Sequence, residues 1–401
     1  MNLLRNGEWN VNKGIDEYRS LSELETSLIS IRHHLHQYPE LSNEEFETTR
    51  SIQKWLQEKG IKTRKTSLST GVFADIHGGM PGPIIAIRAD IDALPIEEET
   101  GLPFASKIKG KMHACGHDFH TAAAIGAAYL LNEYQHELSG TVRFIFQPAE
   151  ESGGGAEKVI QDGQLDGVEA IFGLHNKPDL PVGTVGLKAG PLMAAVDRFN
   201  IVLSGKGSHG ALPHMGKDPI VAAAQLITAL QNIVSRSISP LQSAVVSVTR
   251  IDGGSTWNII PGNVILEGTV RTFDSSVRED IKEKINTIVT HIAAAFSQEA
   301  TVIWFPGSPA LRNDTEITDF ARKSAERLSF RIVDPEPSMA GEDFACYLQH
   351  IPGSFAFFGT SGTEEWHHPA FTVDDSAIMK AALFLFESAK NFLIYNRRKV
   401  V

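Results

Sequence analysis

The chain of 401 residues has only two cysteines, Cys115 and Cys346. Two thiols do not make a disulfide framework, so the sequence predicts a fold held by its core and a reducing, cytoplasmic home. No run is apolar enough, for long enough, to span a bilayer. The start, Met1-Asn2-Leu3-Leu4-Arg5-Asn6-Gly7-Glu8, lacks the apolar stretch of a signal peptide. Cations are in the minority, 37 Lys and Arg against 48 Asp and Glu, for a formal net charge of -11. Phosphate recognition needs clustered Lys and Arg, so a general nucleic-acid role is not expected. Internal repeats and low-complexity tracts are also missing, which argues against a solenoid. What is present is 42% hydrophobic and 21% charged residues, the balance of an ordinary globular chain. The length suits one large α/β domain plus a smaller one.

Strand-like and helix-like stretches alternate through the first half. Residues 83–87 form a short apolar run, as a buried strand does, and residues 121–131 are rich in Ala and Leu and read as a helix. Residues 141–146 and 170–174 read as further strands. This alternation predicts a mainly parallel sheet with helices on both faces. The pattern changes near residue 191. Residues 198–203 alternate polar and apolar, like a strand with one wet face. A helix over 219–234, strands over 244–251 and 264–272, a helix over 277–295 and a strand over 301–305 follow. The order β-α-β-β-α-β is the ferredoxin-like layout. The expectation is a domain of residues 191–305 inserted into a larger one made of 1–190 and 306–401.

The densest chemistry is His113-Ala114-Cys115-Gly116-His117-Asp118-Phe119-His120, read as lying just before the Ala-rich helix. Thiolate and imidazole suit zinc or a similar ion, and Gly116 permits a bend that turns Cys115 and His117 to one point. The plain alternative is a buried free thiol among surface histidines. A second feature, Gln147-Pro148-Ala149-Glu150-Glu151-Ser152, sets adjacent carboxylates directly after a strand. Open α/β sheets place ligands at strand ends. Hydrolysis at a metal needs one carboxylate to hold the ion and another to take a proton from water. The competing reading is a Glu pair favoured by the dipole of the next helix. His175, read as following the strand 170–174, joins this company, and His367-His368 is a more distant candidate pair. Ser204-Gly205-Lys206-Gly207-Ser208-His209-Gly210 is a glycine-rich turn. His209 there is either an exposed loop residue or a donor to a developing oxyanion.

Taken together, these motifs resemble the metal-dependent amidohydrolases related to aminoacylase and carboxypeptidase. The resemblance is strongest to the branch of bacterial hippurate hydrolases and plant indoleacetyl-amino-acid hydrolases. It covers nearly the whole chain after about residue 25. Its marks are Arg32-His33-His34-Leu35-His36 with Pro39-Glu40-Leu41-Ser42, Arg88-Ala89-Asp90-Ile91-Asp92-Ala93-Leu94-Pro95, the Cys115 cluster, Glu150-Glu151, Ser208-His209, Asn258-Ile259-Ile260-Pro261, Gly341-Glu342-Asp343-Phe344 and His367-His368-Pro369.

The resemblance implies metal ligands at Cys115, His117, Glu151, His175 and His367, the last chosen because the family ligand stands two places before the proline. They would hold two divalent ions per subunit, Mn, Zn, Co or Ni. Cys115 would bridge them, with His117 and His175 on one ion and Glu151 and His367 on the other. Glu150 would be the general base and proton shuttle. The smaller domain would be a lid that also makes a homodimer. His209 would reach a partner's active site to steady the tetrahedral intermediate, and Asn258 and Arg271 would grip a substrate carboxylate. Asp90 and Asp92 would orient ligands or neighbouring backbone. Arg88 stands where the peptidase branch has a metal-binding His, which favours amino-acid conjugates over peptides. The lid motif reads Gly207-Ser208-His209-Gly210 in place of the usual Gly-Gly-His-Ala. The implied reaction is amide cleavage in a small N-acyl-amino acid, with no nucleic-acid or membrane partner. Two rivals are a thiol hydrolase built on Cys115 and His117, and a non-catalytic protein that binds metal or amino acid.

Overall fold

The computed structural model describes the backbone of residues 15–400 together with the short stretches Leu4–Arg5 and Glu8–Trp9, and the side chains of residues 21–395. The elements used below are, in chain order, α1 (Ile15–Gln37), α2 (Phe46–Glu58), β1 (Val72–His77), β2 (Met80–Asp90), α3 (His117–Glu133), β3 (Ser139–Gln147), α4 (Gly155–Gln161), β4 (Val168–Lys177), β5 (Thr184–Gly186), β6 (Ala195–Ser204), α5 (Pro219–Asn232), β7 (Ala244–Asp252), β8 (Asn263–Thr272), α6 (Ser275–Ala295), β9 (Glu299–Pro306), α7 (Thr315–Arg327), β10 (Arg331–Val333), β11 (Gly353–Gly359) and α8 (Ser376–Val400). They fall into two compact units.

The first unit comprises Met1–Gly190, Arg312–Glu336 and Cys346–Val401. Its seven-stranded sheet has the order β10-β5-β11-β4-β2-β3-β1. The central strands β11, β4, β2 and β3 are parallel to one another. Edge strand β1 is antiparallel to β3, and β5 is antiparallel to β11. Strands covered on both faces carry no polar alternation, and β11 is buried along its whole length. Helix α3 is buried on all sides from His117 to Leu131. It packs on α1, α8 and β2. Gly126 makes that approach close: a Cβ there would stand 2.6 Å from Leu28 and 2.7 Å from Ala382. An Ala-rich, all-round apolar helix is the sequence such a position requires.

The second unit comprises Pro191–Leu311 and Pro337–Ala345. Its sheet, β7-β8-β6-β9, is antiparallel throughout. Helices α5 and α6 bury Ala223, Leu226, Leu230, Ile281, Ile285 and Val289 in its core. Both helices start on an aspartate cap, Asp218 and Asp274, whose side chains accept the orphan N–H groups of the first turn. The sequence reading returned all of 306–401 to the larger domain. The structure instead groups residues 306–311 and Pro337–Ala345 with the second unit, because both segments bond to its first strands: Val196 N–H donates to Ser308 O, Ala194 N–H to Ser338 O and Ser338 N–H to Leu192 O.

Candidate metal centre

Strands β2, β3 and β4 are parallel neighbours, so their carboxyl ends lie side by side. Asp92 follows β2, Glu150 and Glu151 follow β3, and His175 stands near the end of β4. Two boundaries differ from the sequence reading. Helix α3 starts at His117, inside the His/Cys cluster, and β4 runs on to Lys177, so His175 belongs to the strand. Both elements extend because residues with polar side chains find buried partners there, which an apolar periodicity does not register.

Gly116 caps α3 in the left-handed conformation, at φ 80°. A Cβ at this position would lie 2.4 Å from Asn176 Nδ2, so glycine is required twice, by its backbone and by its neighbour. The bend turns Cys115 and His117 to one region. Cys115 Sγ lies 3.4 Å from His175 Nε2. His117 Nε2 lies 3.7 Å from Glu151 Oε1, and His367 Nε2 lies 3.4 Å from the same oxygen. His367 also has left-handed backbone, φ 67°, and its N–H donates to Ala114 O. His368 turns elsewhere, its Nδ1 accepting the N–H of Ala370.

The candidate ligand atoms form sets whose members all lie within 4.8 Å of one another. One is Cys115, His117 and His175; a second is Cys115, Glu151 and His367. A third joins Glu150 to His117 and Glu151. The predicted ligands and Glu150 are therefore brought together in the first unit. His209, Asn258 and Arg271 belong to the second unit.

The remaining ligand-type residues of the cluster have other employment. Asp118 accepts from Arg32 Nε at 3.1 Å and pairs with His36 Nδ1 at 2.9 Å. His120 sits between Asp90 Oδ1, 2.6 Å from its Nδ1, and the N–H of Asn176, 2.9 Å from its Nε2. His113 is buried, and that burial drives its pKa down to about 4. The helix-dipole reading of the Glu pair fails, because α4 begins at Gly155 and neither carboxylate lies in its first turn.

Three observations test whether a cation fits. First, the ring nitrogens of His117 and Oε1 of Glu151 are buried with no hydrogen-bond partner among the described residues. Such atoms are costly unless something else satisfies them. Second, burial opposes a charge on His117, yet Asp90, Asp92 and Cys115 raise its pKa well above the ordinary value. The site therefore favours positive charge. Third, burial and His120 push His175 well below the ordinary range, so its imidazole is neutral and ready to coordinate. Its Nδ1–H donates to the Asn176 carbonyl at 2.9 Å, which leaves Nε2 bare toward Cys115. Thiolate, imidazole and carboxylate together suit a borderline divalent ion.

Burial, reinforced by Glu151, holds the Cys115 thiol well above its ordinary pKa. A cysteine nucleophile needs the opposite shift, so the thiol-hydrolase reading loses support. A coordinated ion deprotonates such a thiol outright.

The description "Peptidase family M20/M25/M40" matches residues 86–391. The chain belongs to this family. It is an amide-bond hydrolase. It is 63% identical to an N-acetyl-L-cysteine deacetylase of Bacillus subtilis, over 95% of this chain and 92% of that protein. A second Bacillus subtilis protein, an N-acetylcysteine deacetylase, is 55% identical over 91% of this chain and 96% of its own length. The crystal structure of the Bacillus subtilis protein YXEP, described as a dinuclear metal binding peptidase, superposes with a TM-score of 0.85 at 52% identity, covering 93% of this chain and 99% of that one.

Sequence reading missed Asn176, which touches His120, Cys115 and Trp366. Its only signal was adjacency to His175. Ser42, quoted only as part of a motif, donates to Asp92 Oδ2 at 2.6 Å.

Proposed function

We propose that this family member deacylates N-acyl-amino acids, with N-acetyl-L-cysteine the leading substrate, using two divalent ions held by Cys115, His117, Glu151, His175 and His367. The observation that carries this is the shared membership of Cys115 in both ligand sets, one with His117 and His175, the other with Glu151 and His367. A pair of ions at such a centre supplies a Lewis acid for the amide carbonyl and a water that ionises near neutral pH. Manganese, zinc, cobalt and nickel all suit the donor set.

Glu150 takes the proton of the attacking water and delivers it to the leaving amine. Its carboxylate neighbours His117 and Glu151, and its backbone N–H is fixed by Asp92 Oδ1 at 3.1 Å. A group on a fixed turn beside the ligands is well placed for both transfers.

The second unit, Pro191–Leu311 with Pro337–Ala345, is assigned as the ferredoxin-like lid and dimerisation domain. His209 Nδ1 accepts the N–H of Ala211 at 3.1 Å, so its proton sits on Nε2, free to donate to an oxyanion of a partner's substrate. Arg271 is half-buried with its Nη1 donating to Thr269 Oγ1, and burial lowers its pKa. No carboxylate forms an ion pair with it among the described residues, which leaves the guanidinium for a substrate carboxylate. Asn258 is assigned to the same grip. A homodimer is supported by edge strand β7 and by the exposed apolar side chains Ile220, Val221, Leu241, Ile251 and Trp257. No helix among the described residues is long and apolar enough to cross a membrane, and both cysteines are free thiols, which supports a reducing cytoplasm.

The test is a panel of N-acyl-amino acids offered to metal-reconstituted protein, with free amine as readout. N-Acetyl-L-cysteine is expected among the fastest, with activity abolished by a chelator and restored by added divalent ion. Full turnover in chelator, combined with blockade by a thiol alkylator, would overturn the metal reading in favour of the thiol hydrolase. Tight metal binding with no hydrolysis of any member would favour a binding protein.

A further inference from the structure

Asn176 follows the ligand His175 at the end of β4 and is fully buried. A buried amide must satisfy two donors and an acceptor. Its side-chain Nδ2 donates to Cys115 O at 2.5 Å and lies 3.0 Å from His120 Nε2. Its Oδ1 accepts the indole N–H of Trp366 at 3.1 Å, shared with its own carbonyl at the same distance. The carbonyl also takes the Nδ1–H of His175. The missing Cβ of Gly116 is the space the amide occupies.

Each contact leads to a different part of the centre. The Cys115 carbonyl belongs to the residue common to both ligand sets. Trp366 immediately precedes His367 and packs its ring on His175 at 4.5 Å between centroids. His120 could itself have been a ligand, since its atoms fall within 4.8 Å of those of Asp90 and His117. The N–H groups of Asn176 occupy the lone pair on His120 Nε2, which fixes the proton on Nδ1 toward Asp90.

We infer that Asn176 is a positioning residue of the metal centre: one amide ties the Cys115 backbone to the Trp366-His367 arm and keeps His120 out of the coordination sphere. The inference rests on the ligand assignment above. It concerns a residue outside every candidate ligand set, one that acts through its neighbours Cys115, His120 and Trp366. Groups of this kind change metal affinity by about 10–100-fold when removed.

The experiment uses the full chain loaded with cobalt(II), whose thiolate complexes show a near-ultraviolet charge-transfer band. Wild type is expected to show this band and Cys115→Ser to lose it. Absence of the band in cobalt-bound wild type would overturn the ligand assignment itself, whatever Asn176 does. With the band in place, Asn176→Ala and the isosteric Asn176→Asp are compared with wild type by band position and intensity, and by cobalt affinity in competition with a chelator. The expected result is an altered band and an affinity loss of about 10–100-fold. Asn176→Asp keeps the shape of the side chain and serves where Asn176→Ala does not fold. Thermal unfolding of metal-free protein supplies the contrast. A lowered Tm in either variant with wild-type band and affinity would reduce Asn176 to a packing residue and overturn the inference. So would variants indistinguishable from wild type in all three readouts.

Discussion

Asp92 Oδ2 accepts the backbone N–H of Glu151 at 3.0 Å. Its other oxygen takes the N–H of Glu150, and the same carboxylate stands 3.4 Å from His117 Nδ1. One buried side chain thus sets the orientation of the turn that carries both glutamates. Asp92→Ala removes both acceptors at once, leaving two N–H groups unsatisfied at about 1–3 kcal/mol each. The expected outcome is a lower denaturation midpoint together with weaker metal binding, read by urea unfolding and by metal titration of the same preparation. Retained metal affinity would show that the turn holds its shape without Asp92.

Glu150→Gln keeps the shape of the side chain but cannot accept a proton. It is expected to bind metal as wild type does and to lose nearly all turnover, as atomic absorption and amine release would show. His209→Ala is expected to cut kcat/KM far more than it shifts Tm, because the ring is exposed and, among the described residues, bonded only to its own loop.

Gly116→Ala places a Cβ 2.4 Å from Asn176 Nδ2 on a backbone at φ 80°. The conformational cost alone is about 1–2 kcal/mol, and the displaced amide adds to it. A fall in stability of roughly 2 kcal/mol or more is expected by chemical denaturation. Metal affinity should drop with it, since the strained residue joins two ligands.

His36 gives the stability a pH dependence. Burial disfavours its charge, but Asp118 and Glu98 on either side outweigh that, and its pKa rises from 6.5 to about 9. A value raised in the folded state contributes stability that is fully present below pH 6.5 and is lost as pH climbs through 9. The gap corresponds to on the order of 3 kcal/mol. Unfolding free energy should therefore decline between these limits, and the decline should flatten in His36→Gln. An unchanged slope in that variant would place the effect on another group.

Much of the first unit was legible because its signals are local. The apolar run at 83–87 lies in a strand that is buried on both faces from Ile85 onward, and the Ala-rich stretch is a helix enclosed on all sides. Cys115, His117 and Glu151 stood out as candidates through ligand-type side chains close to strand and helix ends. His367 did not: it meets Glu151 across 216 positions of sequence (367 − 151), held by a left-handed backbone and a bond to Ala114. No periodicity encodes such a contact, and only the family resemblance pointed to it. Asp118 shows the opposite case. It has a ligand's chemistry, but Arg32 and His36 on α1 claim it. Asn176 was silent because an amide after a strand reads as a loop residue until its partners are known.

Strand β11 is among the last elements of the chain to be made, yet it lies between β5 and β4 in the interior of the sheet. During synthesis the earlier strands must wait, with an apolar slot and the unpaired edge of β4 open, while the whole second unit leaves the ribosome. Newly emerging copies are thus most prone to clump, and most in need of a chaperone, in the interval before residue 359 appears. Truncations ending just short of that strand should aggregate, whereas the intact polypeptide closes its own gap.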